Sequence, residues 1–212
     1  MLPAVPTAVE TTVTFASLLI LGYVLGSCPW GYWLVRVFRR EDVRTVGSGN
    51  IGATNVWRSY GAWLGVPVVV LDVLKGFVPA YLGVQHVSYL CGVLAGSAAM
   101  LGHWRPLFLG FRRGGKMVAC GGGVVFAVAP WVALIGAAIW FAIFFSTRYA
   151  SVASMLTALP LPVLAALLGY PLSVVVFLAA AAAGVIVLHR ANLRRLRAGT
   201  ENRVKLRRPA QV

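Results

Sequence analysis

Residues 117–146 read MVACGGGVVFAVAPWVALIGAAIWFAIFFS, and whether they form one helix or two decides the fold. A run of roughly 30 residues exceeds the ~20 that one perpendicular membrane span needs. Pro130, near its middle, has no amide hydrogen to donate and clashes with the preceding helical turn. The stretch therefore divides into apolar segments at 117–129 and 131–146. Together with 13–35, 62–83, 87–102, 150–168 and 172–188, these make seven candidate spans, whereas an undivided stretch would make six.

Composition supports a bilayer as the main solvent. Of the 212 residues 59% are hydrophobic and only 11% are charged, against roughly 25% charged in a soluble domain; mean hydropathy is +0.82. The net charge of +14 would suggest nucleic acid in a soluble protein. Here the basic residues sit in links between apolar runs, so membrane lipids and an anionic substrate are the expected partners, and nucleic acid is not. The N-terminal MLPAVPTAVETTVTF lacks a basic segment and a convincing cleavage site, so the first apolar run is expected to remain as a membrane helix.

The positions of the charges test the division at Pro130. With seven spans, the links on one side are 36–61, 103–116, 147–149 and 189–212. They carry Arg36, Arg39, Arg40, Arg44 and Arg58, then Arg105, Arg112, Arg113 and Lys116, then Arg148, and then eight basic residues of the tail. Only Lys75, inside a span, falls outside these links. The positive-inside rule then puts the basic links in the cytoplasm, the N-terminus outside and the C-terminus inside. The expected fold is an all-α integral membrane bundle of seven helices, a single domain over 1–212 with short cytoplasmic motif loops and a basic tail partly disordered from about 202.

Two of these links are rich in glycine. VGSGNIGATNVWR at 46–58 places Gly47, Gly49 and Gly52 where the backbone can curl with its amides inward, and Ser48, Asn50, Thr54 and Asn55 add short polar side chains. Such a nest, followed by a helix starting near Ile51, suits a phosphate. It lacks the lysine of a P-loop and the strand context of a dinucleotide fingerprint. GFRRGGK at 110–116 offers Gly114 and Gly115 for close backbone approach and Lys116 as a compact charge on a flexible stem.

The remaining polar residues fall into smaller groups. His189 and Asn192, three apart, share a helical face beyond the last span. Asp72 and Lys75 lie within the second span at the same spacing and are expected to form a structural intramembrane pair, because an isolated charge there costs about 2.5–3.5 kcal/mol. His103 is expected to position its loop. Cys28, Cys91 and Cys120 have no pairing or zinc spacing, and packing is their expected role. No His, Cys or acid cluster has metal-ligand spacing, so neither a metal nor a cofactor is expected.

These motifs resemble the acyl-phosphate-dependent glycerol-3-phosphate acyltransferases of bacterial membranes. The resemblance rests on GSCPWGYW at 26–33, GSGNIGATNVWR at 47–58, DVLKG at 72–76, GH at 102–103, GGK at 114–116, RYASVAS at 148–154 and HRANLRRLRAGTE at 189–201. It implies a multi-pass protein of the inner membrane, active on its cytoplasmic side, that moves a fatty acyl group from acyl phosphate to the first hydroxyl of glycerol 3-phosphate. The products are lysophosphatidic acid and phosphate, made in phospholipid synthesis, and the enzyme that supplies acyl phosphate is an implied partner.

Matching motif positions makes Ser48, Arg58, Lys116, His189 and Asn192 the implied catalytic residues. Arg58 and Lys116 neutralise phosphate charge, His189 and Asn192 hold glycerol phosphate or orient the attack, and Ser48 donates a hydrogen bond. Gly47, Gly49, Asn50, Gly52, Thr54, Asn55, Gly114 and Gly115 bind substrate phosphate. The chain departs from the family pattern at Met117, which replaces a glycine, and at Cys120, which replaces a threonine. An acyl-CoA enzyme would carry an HxxxxD pair, and no histidine here has an aspartate five positions on. An anion exporter would show polar residues along several spans or related halves, which the apolar runs lack.

Overall fold

The computed structural model describes residues 7–204, and among these every regular element is helical. The first apolar run forms α1 (Ala8–Gly26), opened by a reciprocal cap. The Thr7 hydroxyl accepts from the Glu10 amide, and the Glu10 carboxylate accepts from the Thr7 amide. Pro29 interrupts the chain, and α2 (Trp30–Arg39) follows with apolar and basic faces. After the first glycine loop come α3 (Ala53–Tyr60) and the long α4 (Ala62–His86). The next elements are α5 (Tyr89–Trp104) and, beyond the second glycine loop, α6 (Val118–Val128).

Residues 117–146 are two helices. α6 ends at Val128, Ala129 leaves the helical region at φ −151° and ψ 71°, and Pro130 opens α7 (Pro130–Thr147), a position where its missing amide hydrogen costs nothing. The chain closes with α8 (Ala150–Ala158), α9 (Leu161–Leu167), α10 (Leu172–Leu188) and α11 (Arg190–Arg197). The apolar segments read from the sequence are helical apart from end residues and breaks at 27–29 within 13–35 and at 159–160 within 150–168. Among the described residues four stretches are long and apolar enough to cross a membrane, namely 8–39, 62–86, 130–147 and 150–167, with a fifth if the bent pair α10–α11 is taken as one span. At 11 residues, α6 reaches only about 16 Å, short of a full span.

Small residues let the central helices meet. A Cβ on Gly76 of α4 would overlap the Cys120 carbonyl of α6, and one on Gly123 of α6 would overlap the Val73 carbonyl of α4. Lipid tails provide no hydrophobic drive between helices, so such close packing has to hold them together. The buried Cys120 sits in this seam, and Cys91 is buried where α1 approaches α5. A second core of Val35, Val43, Ile51, Val56, Leu64 and Val68 lies beneath the first glycine loop and fixes it against α4.

Met117 shows how the chain accommodates a side chain where the backbone turns left-handed. It caps α6 at φ 66°, a left-handed conformation that costs a residue with a Cβ about 1–2 kcal/mol and a glycine almost nothing. The Met117 side chain is only 9% exposed and packs into the main core. Such burial is worth roughly 1.5–3 kcal/mol, enough to offset the strain. The basic tail is described only as far as Val204. Its start is packed rather than loose: Val204 is buried and its amide bonds the Arg148 carbonyl. Residues 205–212 lie outside the described residues.

Candidate active site

The two glycine loops and the α10–α11 bend meet at one cavity of about 380 Å³. Ser48, Asn50, Gly52, Thr54, Asn55 and Arg58 line it from the first loop and α3, Lys116 from the second loop, and His189 and Asn192 from the bend. Asp72 reaches the same cavity from α4. Elsewhere the lining is mostly apolar, with Phe126, Ala133, Gly136, Trp140, Leu161 and Leu178 beside the hydroxyls of Ser154 and Thr157. One end therefore suits an anion and the other a hydrocarbon chain.

The first loop owes its shape to Asn55. Its side-chain oxygen accepts from the Ser48 amide at 2.9 Å, and its amide group donates to the Val46 carbonyl at 3.0 Å. Gly47 and Gly49 adopt φ of 61° and 68°, values open to glycine at little cost. The helix expected near Ile51 begins at Ala53, because the Asn50 side chain accepts from the Gly52 amide and closes a turn first. No side chain caps α3, which leaves its N-terminal amides without that partner. Asn55 is thus engaged with the backbone, while Ser48 and Thr54 keep their hydroxyls for the cavity.

The second loop is clamped rather than open. The Gly114 amide donates to the Trp104 carbonyl at 2.8 Å and the Gly115 amide to the His103 carbonyl at 2.9 Å, so both are committed to the C-terminal end of α5. The Gly114 carbonyl receives the Asn50 side chain at 3.4 Å, which ties the two loops together. Gly47, Gly49, Gly114 and Gly115 shape the wall without lining the cavity. Lys75 also lies outside it, buried against Asp72 at 2.8 Å.

Lys116 is the centre of the polar end. Its ammonium donates to the Asn192 side-chain oxygen at 2.6 Å, and the Asn192 amide group donates to Glu201 at 2.6 Å. Burial first, then the Arg195, Arg113 and Arg58 charges, push the Lys116 ammonium down to about 8, against the opposing pull of Glu201. The His189 ring contacts the Val185 carbonyl through Nδ1 at 2.8 Å. A carbonyl only accepts, so Nδ1 carries the proton and the neutral ring keeps a lone pair at Nε2.

Several further residues complete the site. Glu201 accepts from Ser151 at 2.9 Å and from Arg195 at 2.7 Å as well as from Asn192. Burial raises the Glu201 carboxyl, but these hydrogen bonds outweigh it and hold the group below the usual range. Arg58 donates to the Asn202 carbonyl at 3.1 Å, fastening the segment after Glu201 over the cavity. Ser151 belongs to RYASVAS, but only the fold brings it to Glu201. Among the described residues no three His, Cys, Asp or Glu side chains cluster as metal ligands.

The glycerol-3-phosphate acyltransferase family model matches residues 16–199. A glycerol-3-phosphate acyltransferase of Roseiflexus sp. (strain RS-1) is 44% identical over 91% of this chain and 96% of its own length. One of Aquifex aeolicus (strain VF5) is 43% identical over 88% of this chain and 97% of its own. A crystal structure of PlsY (YgiH), an integral membrane glycerol 3-phosphate acyltransferase in its glycerol 3-phosphate form, has a TM-score of 0.86 and 41% identity, covering 90% of this chain and 96% of that one. Its lysophosphatidic acid form has a TM-score of 0.82 and 40% identity, covering 89% and 94%. Family model, relatives and fold agree over nearly the whole length, and the chain belongs to the glycerol-3-phosphate acyltransferase family of integral membrane proteins.

Proposed function

We propose that this enzyme transfers a fatty acyl group from acyl phosphate to the sn-1 hydroxyl of glycerol 3-phosphate. The observation that carries the reading is the cavity itself, in which Lys116, Arg58, His189 and Asn192 gather at one end and a mostly hydrocarbon lining forms the other. Both substrates carry phosphate, and an acyl phosphate is already activated. Catalysis then consists chiefly of positioning the hydroxyl and neutralising charge.

In this mechanism Lys116 and Arg58 neutralise phosphate charge, with Ser48, Thr54 and the α3 amides as hydrogen-bond donors. Asn192 holds the Lys116 ammonium in place. His189 accepts at Nε2 from the glycerol hydroxyl that does not react, and so orients the one that attacks. The hydroxyl oxygen bonds to the acyl carbonyl carbon, and the bond from that carbon to the phosphate oxygen breaks with its electron pair going to phosphate. The hydroxyl proton passes to a phosphate oxygen of the donor, so no dedicated base is required.

We also propose seven crossings, one each by α1, α4, α5, α6, α7, α8–α9 and α10, with the N-terminus outside and the C-terminus and site facing the cytoplasm of a bacterial inner membrane. The support is the charge pattern, since this path gathers every basic loop on one side. A short α6 is consistent with it, because irregular backbone at membrane depth is tolerated where it lines a cavity. The enzyme that makes acyl phosphate would then deliver it from the same side.

The donor is tested by incubating purified protein with glycerol 3-phosphate and either acyl phosphate or acyl-CoA. Lysophosphatidic acid is expected from acyl phosphate alone; product from acyl-CoA alone, or from neither donor, overturns the assignment. The pH profile follows from Lys116, whose depressed ammonium loses its proton as pH rises through about 8. Activity as kcat/KM for glycerol 3-phosphate is therefore expected to fall above that pH, since this parameter reports the free enzyme. In Lys116→Arg, which stays charged, that fall should vanish even if overall activity is lower.

A further inference from the structure

Asp72 and Lys75 do more than neutralise each other. The Lys75 ammonium also donates to the Cys28 carbonyl at 2.9 Å, in the break between α1 and α2. On its other side, Asp72 Oδ1 faces Nδ1 of His103 at 3.7 Å, and all three side chains are 2–4% exposed. Nδ1 of His103 has no hydrogen-bond partner. A buried polar nitrogen left unpaired is costly, and the Asp72 carboxylate it faces, itself paired with Lys75 at 2.8 Å, lies just beyond hydrogen-bond length.

The same histidine grips the second glycine loop twice. Its backbone carbonyl receives the Gly115 amide, and its ring occupies the space that a side chain on Gly115 would need. Lys116 follows directly. Asp72 and His103 both reach the cavity that Lys116 lines. The chain of contacts runs from the α1–α2 break through Lys75, Asp72 and His103 to the base of the Lys116 stem.

We propose that Asp72 and His103 are a positioning pair for the phosphate site: the carboxylate orients the imidazole, and the imidazole holds Gly115 so that Lys116 projects at a fixed place. This rests on Lys116 acting as a phosphate ligand. A residue that acts through another in this way should alter substrate binding and loop order while the global fold persists.

The test compares His103→Leu with His103→Asn, whose amide reproduces the donor at Nδ1. Deuterium uptake over residues 110–117 should rise about tenfold in the leucine variant, because the ring packed against Gly115 is gone and the buried Asp72 carboxylate loses its polar neighbour on that side, and KM for glycerol 3-phosphate should rise by a similar factor. The asparagine variant should stay within about threefold of wild type. Unchanged uptake in His103→Leu, or equal impairment in both variants, overturns the pair. Should His103→Leu not fold, the double variant Asp72→Asn with Lys75→Met removes both charges together without leaving one buried alone, and faster uptake over 110–117 is again expected. If wild type makes no product from acyl phosphate while the uptake difference persists, the donor assignment fails and the positioning pair stands.

Discussion

Replacing Lys116 with alanine is expected to lower kcat/KM for lysophosphatidic acid formation by about a hundred- to a thousand-fold, the usual effect of removing one preorganised charge-stabilising donor. The magnitude follows from its surroundings. Lys116 is held at 2.6 Å by Asn192, sits in a cavity whose lining is elsewhere mostly apolar, and has a proton affinity already reduced by burial and by neighbouring arginines. Such a group needs no reorganisation when phosphate arrives, and the low polarity around it strengthens its field. Folding should be little affected, because an alanine leaves only the Asn192 oxygen without a partner. The check is steady-state turnover beside a thermal melt in the same detergent. Turnover near the wild-type value would remove Lys116 from the site.

The second large effect is expected at Glu201, and it should appear in stability as well as turnover. Glu201→Ala leaves Ser151, Asn192 and Arg195 without their shared acceptor. The Glu201 side chain is 5% exposed whereas Arg195 is about a third exposed, so the arginine recovers part of its solvation. A loss on the order of 3 kcal/mol is expected, which for a chain of this size lowers Tm by roughly 6–12 °C. Activity should fall more steeply than stability. Asn192 loses the contact that turns its oxygen toward Lys116, and the segment to Asn202 no longer has an anchor beside Arg58. Glu201→Gln, which keeps one acceptor oxygen, should lie between. A melt and a turnover both equal to wild type would show that the hub is dispensable.

Both predictions concern residues at the ends of long sequence separations. Lys116 and Asn192 are 76 positions apart, and Ser151 and Glu201 are 50 apart. Their pairing is set by how α5, α8 and the α10–α11 bend pack, which local periodicity does not encode. The roles of single side chains also shifted with packing. Asn55 resembles a phosphate ligand when read as part of a polar string, but in the fold its oxygen and amide are both used to shape the loop. Gly114 and Gly115 read in the string as glycines that let the backbone approach a ligand, yet their amides are bound to the end of α5. In both cases a neighbouring carbonyl or amide, invisible in the linear string, competes for the same hydrogen bond.

What the sequence determined by itself is what depends on composition and short range. Scarce charge and long apolar runs dictate a helical membrane protein, since only satisfied backbones survive in lipid. Pro130 dictates the break between α6 and α7, because the clash it causes is local. The motif strings are contiguous, and the family is legible from them. Only the tertiary structure decided which polar atoms remain free, which loop meets which, and that the Asp72–Lys75 pair borders the site through His103. These are matters of distance between segments far apart in the chain, and small residues such as Gly76 and Gly123 bring those segments close enough for single hydrogen bonds to choose among them.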